Sequence, residues 1–318
     1  MTPHVLNSPI LQLNGHLQTI IPSLFRKIPV HYRRERLELP DGDFLDVDWA
    51  QKGSNKLVII THGLEGDSTR HYVTGMAKMA NDTGLDALGW NCRSCSGEIN
   101  RLPRFYHHGD AEDLRFVIEY AANLGVYEEI YLVGFSMGGS LTLRYLGEKP
   151  NDVNPLVRKA LAASVPLDLP SSVRELAKKG KQFYMKRFIK KLRKKIEEKE
   201  RMFPQHPILT AKNYDTVRNF EDFDSRYTAP LHGYADCHDF YAKASVKPLL
   251  KHIQIPALVV QAANDPFLTP ECLELGEAAQ NSFVQLLVTK NGGHVGFAQK
   301  NKLHTWVEEA ALAFFQKK

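Results

Sequence analysis

The sequence predicts an α/β architecture, a mostly parallel central sheet flanked by helices, with a helical cap inserted between core strands. Three observations carry this expectation. Apolar, β-branched runs at LVIITHG (57–63), EIYLVGF (129–135) and IPALVVQAAND (255–265) alternate with helical patterns. Such runs belong to strands covered on both faces. The alternation lapses from about residue 167 to 247, a stretch too long for a structureless loop in a compact domain. Finally, 318 residues, 43% hydrophobic and 24% charged, suffice for one full core with an insertion. The expected division is therefore a core from 1–166 and 248–318, with a helical cap over 167–247.

In chain order, RRERLELP (33–40) and DFLDVDWA (43–50), joined by Asp-Gly, predict a hairpin. A strand at 57–63, a Gly/Asp/Ser turn, a helix over 71–82 and a strand at 85–90 follow. Next come a helix over 113–123, the strand at 129–135, and a helix over 137–147 that ends on Gly147. ALAASVP (160–166) precedes the interruption. Strands at 255–265 and 283–289 and a helix from about 303 to 315 complete the chain. There is no internal repeat.

Composition narrows the function classes. The first 25 residues lack a basic segment followed by an apolar one, and no run of about 18 apolar residues occurs, so the expectation is an unexported, cytoplasmic chain. Four cysteines do not make a disulfide framework. Cys92 and Cys95 form a CxxC, but no second pair offers the remaining ligands of a structural zinc. No metal and no cofactor are expected. The net charge of +5 is uneven: residues 178–201 carry +9, leaving −4 elsewhere, which is not the spread of a nucleic-acid-binding surface.

The strongest chemical signal is Gly134-Phe135-Ser136-Met137-Gly138-Gly139, between a strand and a helix start. Small flanking residues permit a sharp turn that lifts the serine oxygen above the sheet edge, beside a helix N-terminus. A serine hydroxyl is a weak nucleophile unless a base is in reach and a carboxylate fixes that base's tautomer. In this architecture the chain order is serine, acid, histidine. Asp265 ends the strand ALVVQAAN and precedes Pro266, which places its carboxylate at the ligand-binding edge. Asp168, beyond the strand ending at Val165, ranks second. His294, in Asn-Gly-Gly-His-Val-Gly-Phe (291–297), is the one histidine of thirteen that falls between the last strand and the last helix. The oxyanion donors expected are the N–H of Met137, after the nucleophile, and that of Leu64, in His62-Gly63-Leu64-Glu65-Gly66. His62 reads as a loop-shaping residue. His108 and Asp113 form an HxxxxD spacing known from some acyltransferases, but Asp113 opens a helix, where an acid is favoured anyway.

Several stretches together resemble the YheT-like branch of the α/β hydrolases, related to eukaryotic α/β-hydrolase-domain lipid enzymes and yeast medium-chain ester synthases. They are NGHLQTIIP (14–22), HGLEGDS (62–68), NCRSCSGEINRLPRFYHHGDAEDL (91–114), GFSMGG (134–139), SVPLDL (164–169), TAPLHGYAD (228–236), ANDPFL (263–268) and GGHVGF (292–297). The resemblance implies an α/β-hydrolase fold, a triad of Ser136, Asp265 and His294, carboxylesterase activity on short or medium acyl esters, a helical cap and no metal. Two departures stand out. Arg93-Ser94-Cys95 replaces an Arg-Gly-Cys, and Asn264-Asp265-Pro266 replaces an Asp-Asp-Pro.

Within 178–201, Tyr184, Phe188, Leu192 and Ile196 recur every four residues beside Met185 and Ile189, predicting an amphipathic helix with a cationic back. Its first reading is a solvated charged face over a structural stripe. Its second is a lid whose cations attract anionic lipid, acyl-CoA phosphates or a membrane surface. The function expected from the whole pattern is ester hydrolysis through an acyl-enzyme on Ser136. The alternatives are an alcohol O-acyltransferase or lipase-like enzyme on the same triad, and a non-catalytic ligand-binding protein of the same fold.

Overall fold

The computed structural model describes residues 5–6 and 10–317. In chain order the elements are β1 (Val5–Leu6), α1 (Gly15–Phe25), β2 (Arg33–Glu38), β3 (Phe44–Ala50), β4 (Lys56–Thr61), α2 (His71–Asp82), β5 (Asp86–Trp90), α3 (Glu112–Asn123), β6 (Glu129–Phe135), α4 (Met137–Glu148) and β7 (Val157–Ala163). Then follow α5 (Leu169–Ala177), α6 (Gln182–Met202), α7 (Phe220–Phe223), α8 (Ala229–Leu231), α9 (Cys237–Ala244), β8 (Ala257–Ala262), β9 (Val284–Thr289) and α10 (Trp306–Gln316).

The nine strands form one sheet in the order β1-β9-β8-β7-β6-β4-β5-β3-β2. β2 and β3 pair antiparallel across the Asp-Gly turn, with Gly42 at φ +85°, and β3 is antiparallel to β5. All other pairings are parallel. Successive residues of β4 face opposite layers. Leu57 and Ile59 pack with α3 and α4, whereas Val58 and Ile60 pack with α2 and α10. Registers Thr61↔Gly134, Phe135↔Ala163 and Ala262↔Thr289 bring the ends of β4, β6, β7, β8 and β9 to a common edge. That edge is where ligands bind in sheets of this kind.

Several predicted boundaries move, the strands at 160–166 and 255–265 becoming Val157–Ala163 and Ala257–Ala262, and two of the shifts have a visible cause. α4 runs through Gly147 to Glu148, because that glycine is not a terminator: a Cβ there would sit 2.5 Å from the Leu249 carbonyl oxygen. α10 starts at Trp306 because Thr305 accepts from the Glu308 N–H while Glu308 returns a bond to the Thr305 N–H.

α1 carries the apolar spacing of a helix at 17, 21, 24 and 25, but its burial is inverted: the apolar stripe faces outward. Asn14 caps it, accepting from the Leu17 N–H at 2.8 Å. Gln18 and Thr19 are buried, while Leu17, Ile21, Leu24 and Phe25 are exposed.

Helices α5 to α9 all lie in the segment between β7 and β8. They share an apolar cluster that includes Leu169, Met185, Ile189, Leu192, Phe223, Tyr227 and Phe240, joined from the sheet side by Phe267. Each buried aliphatic side chain of α6 contributes about 1.5–3 kcal/mol to holding that helix down. The cationic back of α6 is only partly solvated. Lys191 donates to the Glu65 carbonyl at 2.7 Å, Lys195 pairs with the Glu65 carboxylate, and the fully buried Lys199 donates to the Asn100 carbonyl at 2.6 Å. Among the described residues, no helix is long and apolar enough to cross a membrane.

Candidate active site

Ser136 joins β6 to α4 with φ +55° and ψ −121°, a conformation that costs a non-glycine residue on the order of 1–3 kcal/mol. The flanking glycines are needed for space rather than for unusual dihedrals: a Cβ on Gly138 would run into the Thr61 carbonyl, and one on Gly134 into the Gly138 carbonyl. The Ser136 hydroxyl lies 2.8 Å from His294 Nε2. His294 Nδ1 in turn sits 2.9 Å from Asp265 Oδ2 and 3.2 Å from Oδ1. The carboxylate can only accept, so Nδ1 carries the proton and Nε2 is free to accept from the serine. Asp265 is fixed by the Phe267 N–H, which donates to its Oδ1 at 2.8 Å, and the Phe267 ring stacks on the imidazole with centroids 4.0 Å apart. The three side chains singled out from the sequence thus converge.

The histidine loop is strained and braced. Val295 has φ +55°, costly for a β-branched residue, and its N–H donates to the Ser164 hydroxyl at 3.0 Å. α1 supplies the rest. Thr19 Oγ1 accepts from the His294 N–H at 2.8 Å, and Gln18 Oε1 accepts from the Gly292 N–H at 2.8 Å. Asn264 donates to Gln18 Oε1 at 2.7 Å and accepts from the Gly293 N–H at 3.0 Å, tying the acid loop, the histidine loop and α1 together. An aspartate at 264 could not make that donation, which gives one of the two departures a structural role. The other also has one: Ser94 lies at φ +64°, where glycine is favoured, and its hydroxyl is held against Asn100. Gln18 and Thr19 were given no role from the sequence although they lie in the NGHLQTIIP stretch (14–22), and Asn264 was noted only as a departure.

Met137 N–H occupies the first position of α4, and Leu64 lines the cavity beside Ser136. Neither N–H donates to another described residue. Neighbouring donors are committed: the Gly63 N–H to the Tyr72 hydroxyl at 3.2 Å, and the Glu65 N–H to the Tyr106 hydroxyl at 2.9 Å. Glu65 is the hub of this loop. It receives the Tyr106 hydroxyl at 2.6 Å and Lys195 at 2.7 Å, and Lys195 also reaches Cys95 Sγ at 3.3 Å. Burial opposes the charge on Lys195, but its contacts to Cys95 and Glu65 outweigh burial and raise its pKa.

The remaining candidates fall elsewhere. Asp168 caps α5, accepting from the Ser171 N–H at 2.9 Å, and makes no bond to His294. His62 is fully buried, with Nδ1 bonded to the Gly63 carbonyl at 2.7 Å and Nε2 accepting from the Cys92 N–H at 3.0 Å, a loop-shaping arrangement. Asp113 is held bidentate by Arg93 at 2.7 and 2.8 Å and does not bond His108. Cys92 and Cys95 are free thiols. Glu221, Cys237 and His238 could together offer three metal-ligand atoms within 4.8 Å, but none of them lines the cavity.

A cavity of about 370 Å³ opens over Ser136 between the sheet edge and helices α5 to α9. Its walls are mostly apolar, with Phe105, Phe188, Phe220, Phe223, Phe267, Leu169 and Leu176 among them. One region is polar. Asp224 accepts from the hydroxyls of Thr228 and Tyr241, and burial raises its pKa to about 6. Burial lowers His108 and His232 to about 4 and His107 well below its ordinary value, so these imidazoles are neutral at pH 7.

A family model for the α/β hydrolase fold matches residues 56–301. The esterase-named YheT of Escherichia coli (strain K12) is 32% identical over 302 residues, covering 93% of this chain and 88% of that protein. The human phospholipase ABHD3 is 29% identical, covering 90% of this chain and 71% of its own. Among solved structures, the Pyrococcus furiosus esterase Pf2001 superposes with a TM-score of 0.60 at 18% identity, covering 98% of this chain and 95% of that one, a likeness of fold.

Proposed function

The chain belongs to the α/β-hydrolase-fold family, in its YheT-like branch, and from that premise we propose that it is a serine carboxylesterase acting on short- to medium-chain acyl esters. The single observation that carries the reading is the unbroken line of hydrogen bonds from Ser136 through His294 to Asp265 at the floor of an apolar cavity.

His294 Nε2 takes the Ser136 proton as Oγ attacks the ester carbonyl carbon. The carbonyl oxygen becomes an oxyanion, received by the N–H groups of Met137 and Leu64. Collapse breaks the bond to the alcohol oxygen, which leaves with the proton from His294, and the acyl group stays on Ser136. Water, deprotonated by the same imidazole, then attacks the acyl-enzyme, and the acid departs as Ser136 recovers its proton. Asp265 keeps the imidazole in the productive tautomer and stabilises its transient charge. The helices between β7 and β8 act in this reading as the cap whose aromatic side chains accept the acyl chain.

A ladder of p-nitrophenyl esters from acetate to palmitate tests it. Turnover should peak at short or medium acyl lengths, and Ser136→Ala should leave at most residual catalysis from the oxyanion donors. Equal turnover by Ser136→Ala and the parent would remove the proposal.

A further inference from the structure

The inverted helix α1 and the outer face of α6 meet at the cavity mouth. Their N-terminal ends touch, with His16 Nδ1 3.2 Å from the Tyr184 hydroxyl and the His16 and Phe183 rings 6.1 Å apart. Ile20, Ser23 and Leu24 of α1 line the same cavity as Phe183, Arg187 and Lys191 of α6. On the solvent side, α1 exposes an apolar stripe spaced i, i+4, i+7, i+8: Leu17 at 42%, Ile21 at 40%, Leu24 at 55% and Phe25 at 74%. Phe183, 47% exposed, extends it onto α6. A contiguous exposed apolar face is a cost in water unless something covers it.

The adjoining surface of α6 names the cover by its charge. Lys186, Arg187, Lys190 and Lys194 are all exposed, and with Lys191 they line a shallow groove of cations. Several other cations of this segment are paired, as Lys178 and Lys181 are with Glu175, Arg193 with Glu197 and Lys195 with Glu65, and Lys191 and Lys199 donate to backbone carbonyls. These four make no ion pair among the described residues. Unpaired cations beside exposed Leu, Ile and Phe are the make-up of an element that lies in a lipid–water interface. A nucleic acid would match the cations but leave the apolar stripe wet.

We propose that α1 and the outer face of α6 form a docking platform for a bilayer surface bearing anionic headgroups, with the cavity mouth facing the membrane. The stripe enters the headgroup boundary, and the α6 cations answer the negative surface potential.

Vesicle sedimentation of the full chain tests this with phosphatidylcholine alone, phosphatidylcholine mixed with phosphatidylglycerol, and double-stranded DNA as a competing polyanion. The parent should sediment with the anionic vesicles and lose them as salt rises. Lys186→Gln/Lys190→Gln/Lys194→Gln should weaken that binding roughly a hundredfold at low salt. Leu17→Ser/Phe25→Ser should weaken it as well. None of these five residues lines the main cavity, so turnover of a soluble ester should stay unchanged and report that each variant is folded. Equal sedimentation with both vesicle types, undiminished binding by either variant, or capture by DNA in preference to vesicles would overturn the proposal.

Discussion

Thr19→Val tests whether α1 holds the histidine loop. The substitution keeps the side chain's shape and removes only the hydroxyl that accepts from the His294 N–H at 2.8 Å. A buried N–H left without a partner costs about 1–3 kcal/mol. With an unfolding entropy of about 2.1 cal/mol/K per residue, a chain of this length has about 0.7 kcal/mol/K in all, so Tm should drop by about 1–4 °C. The catalytic effect should be larger than that loss suggests, because an imidazole displaced by a fraction of an ångström no longer meets Ser136 in line. We expect kcat to fall about tenfold with KM nearly unchanged, the pattern of an interaction that matters in the transition state. Differential scanning fluorimetry and p-nitrophenyl butyrate kinetics read both quantities, with Thr19→Ser as the control that restores the hydroxyl. A Thr19→Val protein with parental Tm and kcat, or a Thr19→Ser protein equally impaired, would mean that α1 does not hold the histidine loop.

Lys195→Met should strip Glu65 of its cationic partner and loosen the loop that carries Leu64, lowering kcat about 10- to 100-fold; steady-state kinetics should also show partial recovery in Lys195→Met/Glu65→Gln, since the double variant leaves no buried charge unpaired. Acid should destabilise the fold. His71, lowered to about 3 by burial, and His108 and His232, lowered to about 4, bind protons in the unfolded chain below about pH 6.5 but not in the native one, so their stability is full above 6.5 and drains as pH falls towards 4. Asp224, raised to about 6, works the other way, stabilising at low pH and losing that as pH climbs through 6, as do the raised Asp113, His62 and His304, but His107, also lowered, and the carboxylates of Asp43, Asp46 and Asp48, held below their ordinary value, add to the loss in acid. Tm should therefore fall between pH 7 and pH 4.5, more steeply in Asp224→Asn, and a flat profile would count against neutral buried histidines.

The parallel sheet was legible because its strands are buried on both faces and so are written as continuous apolar runs, as in β4 and β6. The convergence of Ser136, Asp265 and His294 was legible because chain order and the turn at Ser136 constrain it together. α1 was not, and the reason is physical. The period at 17, 21, 24 and 25 marks an apolar stripe but not which way it faces: α1 turns Gln18 and Thr19 inward to hold the loops at 264 and 292–294 and leaves that stripe outside. The lysines of α6 were misleading for a related reason. Lys191, Lys195 and Lys199 recur at four-residue spacing with the exposed cations, yet their long stems carry the ammonium groups to Glu65 and to the carbonyls of the 100–102 turn. A charge run states which residues are cationic, not which way each one faces.

The nucleophilic role of Ser136 is tested most directly by mass-spectrometric mapping of the protein after brief exposure to a fluorophosphonate, a reagent that bonds to an activated serine. One adduct is expected, on Ser136, formed far more slowly in His294→Ala and absent in Ser136→Ala. An adduct on another serine, or labelling of Ser136 at the same rate without the imidazole, would contradict that role.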